Sequence, residues 1–271
     1  MIGGSIRGMA DLSKLPGVNP EIPNAARMYD YNLGGSHNFA ADRAAAEHTR
    51  AAIPWIIGAT RANRNFLRRA VRYCQQEGID QFLDLGSGIP TVGNVHEVAR
   101  AGNPEARVAY VDNEPVTVAS CAALLAGDEL STITAEDMRD PEAVFAAPGV
   151  RDLIDLSRPV ALLTVAVLHF VPDEDDPVGL VAEYRKRLAP GSFHVLSHAT
   201  GDHDPDRSDA GRGTYRNTAN PITPRSRDQV AKLFGGLELV EPGLVDATEW
   251  RPEDTLGPEH VGSWAGVARI G

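Results

Sequence analysis

The chain has 271 residues, 42% of them hydrophobic and 23% charged, which suits a globular interior near the upper size of a single domain. No run approaches the roughly 18 apolar residues of a membrane span, and a formal net charge of −11 disfavours nucleic-acid phosphates and anionic lipid as partners. Cys74 and Cys121, the two cysteines, both fall inside apolar helical patterns and read as buried thiols of a reducing compartment, not as a disulfide framework.

In chain order, residues 1–24 are rich in Gly and Pro and lack an apolar signal core, so they are expected to be a flexible lead-in to a cytoplasmic protein. Residues 25–78 are expected to form an N-terminal helical arm or lid. Within it, Ala40 to Ile53 is a helix by propensity. Phe66, Leu67, Ala70, Val71 and Cys74 put a second helix between Thr60 and Glu77, stopped by Gly78. The basic run Arg61, Arg64, Arg68, Arg69 and Arg72 reads as the solvated face of that helix.

From residue 79 to residue 271 strands and helices alternate. The predicted strands are Gln81 to Gly86, Arg107 to Asp112, Ser131 to Ala135, the continuous apolar run Pro159 to Phe170, and Ser192 to Ala199. Helices are predicted over Thr91 to Ala101, from Pro115 to Gly127, over Asp176 to Leu188, and over "RSRDQVAKLF". "LELVEPGLV" and "HVGSWAGVARI" are expected to be two closing strands. This order implies a doubly wound, Rossmann-like α/β fold with a seven-stranded, mostly parallel sheet, since parallel neighbours need helical crossovers. The polar stretch from Gly201 to Pro224 is long for a loop inside a compact domain and is expected to border a binding site.

The candidate site begins at "QFLDLGSGIPT". In doubly wound sheets ligands bind beyond the carboxyl ends of the strands, and this turn follows the first strand. Gly86 and Gly88 lack a Cβ, so the backbone can bend sharply and approach a ligand; Asp84 ends the strand. A dinucleotide fingerprint would place a third glycine where Thr91 stands, and Pro90 removes an amide that a phosphate would use. The turn therefore suits a nucleoside cofactor without phosphates, S-adenosylmethionine, better than NAD. Asp112, ending the second strand beside Asn113, can accept from both ribose hydroxyls, although this carboxylate alone does not separate the two cofactors. After the third strand, Asp137 can accept from an adenine amino group and Met138 can border its ring. After the fourth, His169 stands where the reacting end of a cofactor belongs, able to pack, to orient substrate or to act as a base.

Strand, GxG turn, two strand-end acids and "LHF" in this order resemble the class I S-adenosylmethionine-dependent methyltransferases. "ARMYDYNLGGSHNFAADRAAAE", "NRNFLRRAVRY", "QFLDLGSGIPT", "VAYVDNEP", "AVLHFVPDEDDP" and "LSHAT" narrow the resemblance to bacterial S-adenosyl methyltransferases long catalogued as a domain of unknown function. The resemblance implies S-adenosylmethionine binding and methyl transfer; separately, the spacing of His194, His198 and His203 matches no zinc signature, so no metal is expected. Carried over by position, Gly86, Ser87 and Gly88 wrap the cofactor, Asp112 holds the ribose, Asp137 and Met138 border adenine, and Val165, Ala166 and His169 line the floor. It names no acceptor. In the arm, Tyr29 can cover a bound ligand, and Asn38, with Asp42 and Arg43, can reach the methionine end. In the long loop Tyr215, Arg216, Asn217 and Asn220 are the expected contacts of a small-molecule substrate. Two other readings stand beside this one, a non-catalytic S-adenosylmethionine-binding regulator and an NAD-dependent oxidoreductase.

Overall fold

The computed structural model describes residues 12–91, 93–206, 213–216, 218–253 and 262–271. Five parallel strands, β1 (Gln81–Leu85), β2 (Arg107–Asp112), β3 (Ser131–Ala135), β4 (Ala161–Val165) and β5 (Phe193–Ala199), form the body of one sheet. Its order is β3-β2-β1-β4-β5-β8-β6, and β7 (Val245–Asp246) also pairs with β8 (Ser263–Arg269). β8 runs antiparallel to β5, with His198 opposite Trp264. The strand order reverses between β1 and β4, so a crevice opens at their carboxyl ends.

Both sheet faces are covered, which explains why β1 is buried along its whole length. On one face Phe66, Leu67, Ala70 and Val71 of α3 (Ile56–Gln76) meet Phe82, Val108 and Leu163 of the sheet and the fully buried Trp250. α4 (Val95–Gly102) and α5 (Pro115–Leu124) complete that face. On the other face Leu83, Val111 and Leu162 meet Val144, Val181, Tyr184 and Leu233 from α6 (Pro141–Ala146), α8 (Pro177–Arg185) and α9 (Arg227–Leu233). Cys74 and Cys121 are free and buried, and burial pushes the Cys121 thiol up to about 12, as for packing residues. No described helix is long and apolar enough to cross a membrane.

Several elements differ from their predicted spans. The apolar run from Pro159 ends as a strand at Val165, because Ala166 takes a left-handed φ of 55° and its N–H turns to Ser197, donating to Oγ at 3.0 Å. A β-carbon residue in that region stores strain, and the bend points the next turn, Leu168–Phe170, across the crevice. The helix after the glycine turn starts only at Val95. Asn94 precedes it with extended backbone, and Glu97 takes the N–H groups of Gly93 and Asn94 at 2.9 and 2.8 Å. The crossover between β3 and β4 holds two helices not anticipated, α6 and α7 (Pro148–Arg151), each opened by a proline at its first turn. "LELVEPGLV" makes two short strands, β6 (Glu238–Leu239) and β7, because a turn at Val240 to Gly243 interrupts it. Among the described residues the sheet is mostly parallel, as expected, and counts eight strands because the predicted sixth is divided into β6 and β7.

Candidate functional site

A cleft of about 850 Å³ opens over the carboxyl ends of β1, β2, β4 and β5. Its volume lies toward the upper end of the roughly 300–1,000 Å³ typical of ligand pockets. At its centre is the glycine turn. Gly86 has a φ of 68°, and a β-carbon there would stand 2.1 Å from Val167 Cγ2. Gly88 has a φ of 66°, yet a β-carbon there would meet open space. The first glycine is therefore required by packing and the second by conformation beside an open site. Two consequences can be separated by measurement. Gly86→Ala is expected to lower stability by about 1–3 kcal/mol in denaturant unfolding, because Val167 must move. Gly88→Ala should cost less stability, while its methyl enters the ligand space and weakens cofactor binding in calorimetry.

Around this turn the polar groups are tied in sequence. The Asp112 carboxylate accepts from Gly88 N–H at 2.8 Å and from Glu114 N–H at 2.9 Å. Burial pushes its carboxyl up to about 6, those two bonds pulling it down and Glu114 adding a smaller rise. Asp84 is raised further, to about 7, by burial first, with Asp112 adding and Arg64 opposing. Ser87 Oγ is buried without a hydrogen-bond partner among the described residues, and so is Arg64 Nε. Buried polar groups without partners are costly, so these two mark places where a bound molecule would complete the network. Beyond β3, Asp137 is engaged by Arg139, whose Nη2 donates to it at 2.6 Å, which holds its carboxyl below the usual range.

His169 closes the floor. Its Nδ1 accepts from Ala199 N–H at 3.4 Å, and burial holds the imidazole well below its ordinary pKa, with His198 and Arg225 acting in the same direction. A neutral ring accepting at Nδ1 carries its proton on Nε2. His169 is thus placed to donate rather than to serve as a ready base. Behind it, the guanidinium of Arg225 is almost fully buried. It donates to Leu168 O, Val171 O, Asp173 Oδ1 and His198 Nε2, at 3.0, 2.8, 2.6 and 2.9 Å. His198 Nδ1 is then left to donate to Ala199 O at 2.8 Å.

The arm reaches the site through buried charge. Arg27 of α1 (Ala25–Asn32) pairs with Asp42 of α2 (Ala40–Ala52) and with Glu114, each at 2.9 Å. Glu114 caps α5 directly after the Asp112 turn. Asn24, the cap of α1, donates to Asn220 at 2.9 Å, and Ala219 N–H donates to Pro23 O at 2.9 Å. The arm and the segment after β5 therefore meet above the cleft.

Of the residues singled out in the sequence, Asp84, Gly86, Ser87, Gly88, Asp112, Asn113, Asp137, Met138, Val165, Ala166, His169, Tyr29 and Tyr215 all line this cleft. Asn38 does not. Its amide donates to Asp30 Oδ2 at 2.8 Å and to Gly35 O at 3.0 Å, so it ties the arm's own turn, and Asp42 is likewise locked in the Arg27 pair. Asn217 lies outside the described residues. The solvated-face reading of the basic run fails at Arg64, which lines the cleft and donates to Thr91 Oγ1 at 2.8 Å. It fails also at Arg69, which donates to Trp250 O and Ala247 O, both at 2.7 Å. Asn63, Glu114 and Trp55 also line the cleft without having been anticipated. Charge periodicity marks no single arginine in such a run; only the crossing of α3 over the strand ends selects one.

A parallel sheet closed by an antiparallel strand, with a glycine turn and strand-end acids at the reversal point, defines the class I methyltransferase architecture. The chain belongs to the S-adenosyl methyltransferase family, whose model matches residues 13–271, and it is an S-adenosylmethionine-dependent methyltransferase. It is similar to a candidate methyltransferase from Thermobifida fusca, with 40% identity over 94% of this chain and 97% of that one and a TM-score of 0.88. A DUF574 family protein from Streptomyces avermitilis is 38% identical over 93% of this chain and 99% of that one, with a TM-score of 0.89. The magnesium protoporphyrin IX methyltransferase of Synechocystis shares the fold, with a TM-score of 0.53 and 14% identity over 90% and 93% of the two chains. None of the curated proteins matches the chain.

Proposed function

We propose that this enzyme methylates a small molecule in the cleft, and that its own residues divide the work as follows. Gly86, Ser87 and Gly88 cradle the cofactor, Asp112 accepts from its ribose hydroxyls, and Met138 and Asp137 border its adenine. Asp84 and Arg64 face the methionine ammonium and carboxylate, with opposite charge for each. The observation that carries this reading is the row Gly88–Asp112–Glu114 beside Ser87 Oγ, unpartnered among the described residues, a cradle built for hydroxyls and amides, with Glu97 already holding the Gly93 and Asn94 N–H groups at the start of α4. S-adenosylmethionine, when bound, supplies a methyl carbon made electrophilic by its sulfonium. The chain's part is to orient the acceptor. Val165 and Ala166 form the floor, His169 Nε2–H positions the acceptor, and α1 with α2 covers the site. Residues 1–24 lead into this cover, 25–78 supply it and 79–271 carry the methyltransferase domain. The free buried thiols and the absence of any spanning helix among the described residues fit a cytoplasmic enzyme.

Calorimetry with S-adenosylhomocysteine and with NAD tests the cofactor assignment: the first should bind and the second should not. The pH dependence follows from Asp112 and Asp84. Ribose hydroxyls donate, so Asp112 must be ionised to accept from them. A carboxyl with a pKa of about 6 is only about one-tenth ionised at pH 5. Affinity for S-adenosylhomocysteine should therefore fall at least tenfold between pH 7.5 and pH 5, about tenfold from Asp112 and the remainder from Asp84, whose carboxyl at about 7 must ionise to face the ammonium, with proton release on binding near pH 6–7. Affinity that is flat or rises on acidification overturns the Asp112 assignment.

A further inference from the structure

The cleft is larger than its cofactor end, and its remaining walls have a consistent chemistry. Tyr29 comes from the arm, Trp55 and Ile56 from the start of α3, Phe170 from the turn after β4, and Tyr215 and Ile222 from the segment after β5. Four of these six are aromatic, and they come from four separate parts of the chain. Aromatic walls supply flat apolar area with little entropy to lose on binding.

The polar atoms among them are mostly committed to the protein itself. Tyr29 Oη donates to Thr60 O at 3.2 Å and accepts from Asn63 Nδ2 at 3.1 Å, so what remains for a ligand is the ring. His198 has both nitrogens engaged, by Ala199 O and by Arg225. His169 uses Nδ1 for Ala199 N–H and keeps Nε2. The two tyrosines and the two floor histidines are also held uncharged. Burial raises Tyr29 and pushes Tyr215 up to about 12, and it lowers His198 to about 4 and His169 well below its ordinary value. Asp204 borders the same end of the cleft and would repel an anion.

Resting on the cofactor assignment above, we propose that the methyl acceptor is an uncharged planar aromatic molecule bearing a hydroxyl or amino group. Its ring packs against Tyr29, Trp55, Phe170 and Tyr215, and its nucleophilic atom lies at His169 Nε2. In the transfer, the acceptor's oxygen or nitrogen lone pair forms the new bond to the methyl carbon while the carbon–sulfur bond breaks, its electron pair staying on sulfur. The acceptor's proton leaves to water, because His169 already carries its proton on the nitrogen that faces the acceptor.

The test uses 2-naphthol and 2-naphthoate, which share a ring and differ in charge, titrated by calorimetry into protein saturated with S-adenosylhomocysteine. Saturation is verified first, so a failure of the cofactor assignment is seen separately. 2-Naphthol is expected to bind at least tenfold tighter than 2-naphthoate. Trp55→Ala is expected to weaken 2-naphthol at least tenfold while leaving S-adenosylhomocysteine affinity unchanged. Phe170→Ala serves as the second variant and should act in the same way if Trp55→Ala does not fold. Equal or tighter binding of the carboxylate, no binding of 2-naphthol up to its solubility limit, or indifference of its affinity to both variants overturns the proposal.

Discussion

Replacing Asp112 with asparagine is expected to weaken S-adenosylhomocysteine binding about 100-fold, a loss of about 2.7 kcal/mol. A hydrogen bond to a charged group contributes about 1.5–3 kcal/mol where a neutral one contributes about 1. In the proposed complex two ribose hydroxyls donate to this one carboxylate. Asparagine keeps the shape and one acceptor oxygen, but its amide presents N–H to one of the donors. The same carboxylate also receives Gly88 N–H and Glu114 N–H, so the substitution loosens the glycine turn as well as the ribose contact. Calorimetry gives the affinity, and a thermal melt without ligand separates the two effects. A variant that binds as tightly as the parent sinks the assignment of Asp112 to the ribose. Its pH profile should also lose the part of the acid limb that Asp112 contributes near pH 6 and keep the part from Asp84 near pH 7.

Arg27→Met should unfold far more easily than the parent, by about 3–5 kcal/mol. Arg27 is buried between Asp42, which has no exposed surface, and Glu114, and removing the cation leaves two carboxylates in the interior without their counter-charge. The full desolvation cost of an unpaired ion greatly exceeds the apolar area that methionine would bury. Arg27 also donates to Ile22 O at 2.6 Å, so the lead into the arm loses an anchor too. For a chain of this size the melting temperature should fall on the order of 10 °C. Arg27→Lys should fall between the two, because lysine keeps the charge and lacks the fork that reaches both acids. A melt within a degree or two of the parent for Arg27→Met would show that the arm contributes little to the folded state.

Much of the fold was legible because parallel strands buried on both faces must be apolar along their length, and helices covering them must be apolar on one side. The edges of β2 follow from that contrast, and those of β1 to within a residue. The ends of β4 and α4 do not. β4 stops where Ser197 of the neighbouring strand captures the Ala166 amide, and α4 starts where Glu97 takes the N–H groups of Gly93 and Asn94. Both are decided by partners that the local pattern does not name. The prolines at 115, 141 and 148 behave alike in the structure, each opening a helix, although only the first was read that way from the sequence. Asn38 shows the opposite failure. A polar residue in a glycine-rich arm looks available to a ligand, but its amide is used up inside the turn that carries it.

What the sequence determined by itself is the row of strand ends that lines one part of the cleft. The glycine turn and the acids after β1, β2 and β3 are local to the strand ends, and the strand pattern alone brings strand ends to one rim of a doubly wound sheet. What only the tertiary structure decided is the other half. Arg64, Asn63, Trp55, Glu114 and the Arg225 clamp come from separate segments of the chain, and no local pattern distinguishes them from surface or core. They become a site because α1, α3 and the segment after β5 cross the same rim. Periodicity reports which side of an element is buried; it carries no information about which neighbour that side will meet.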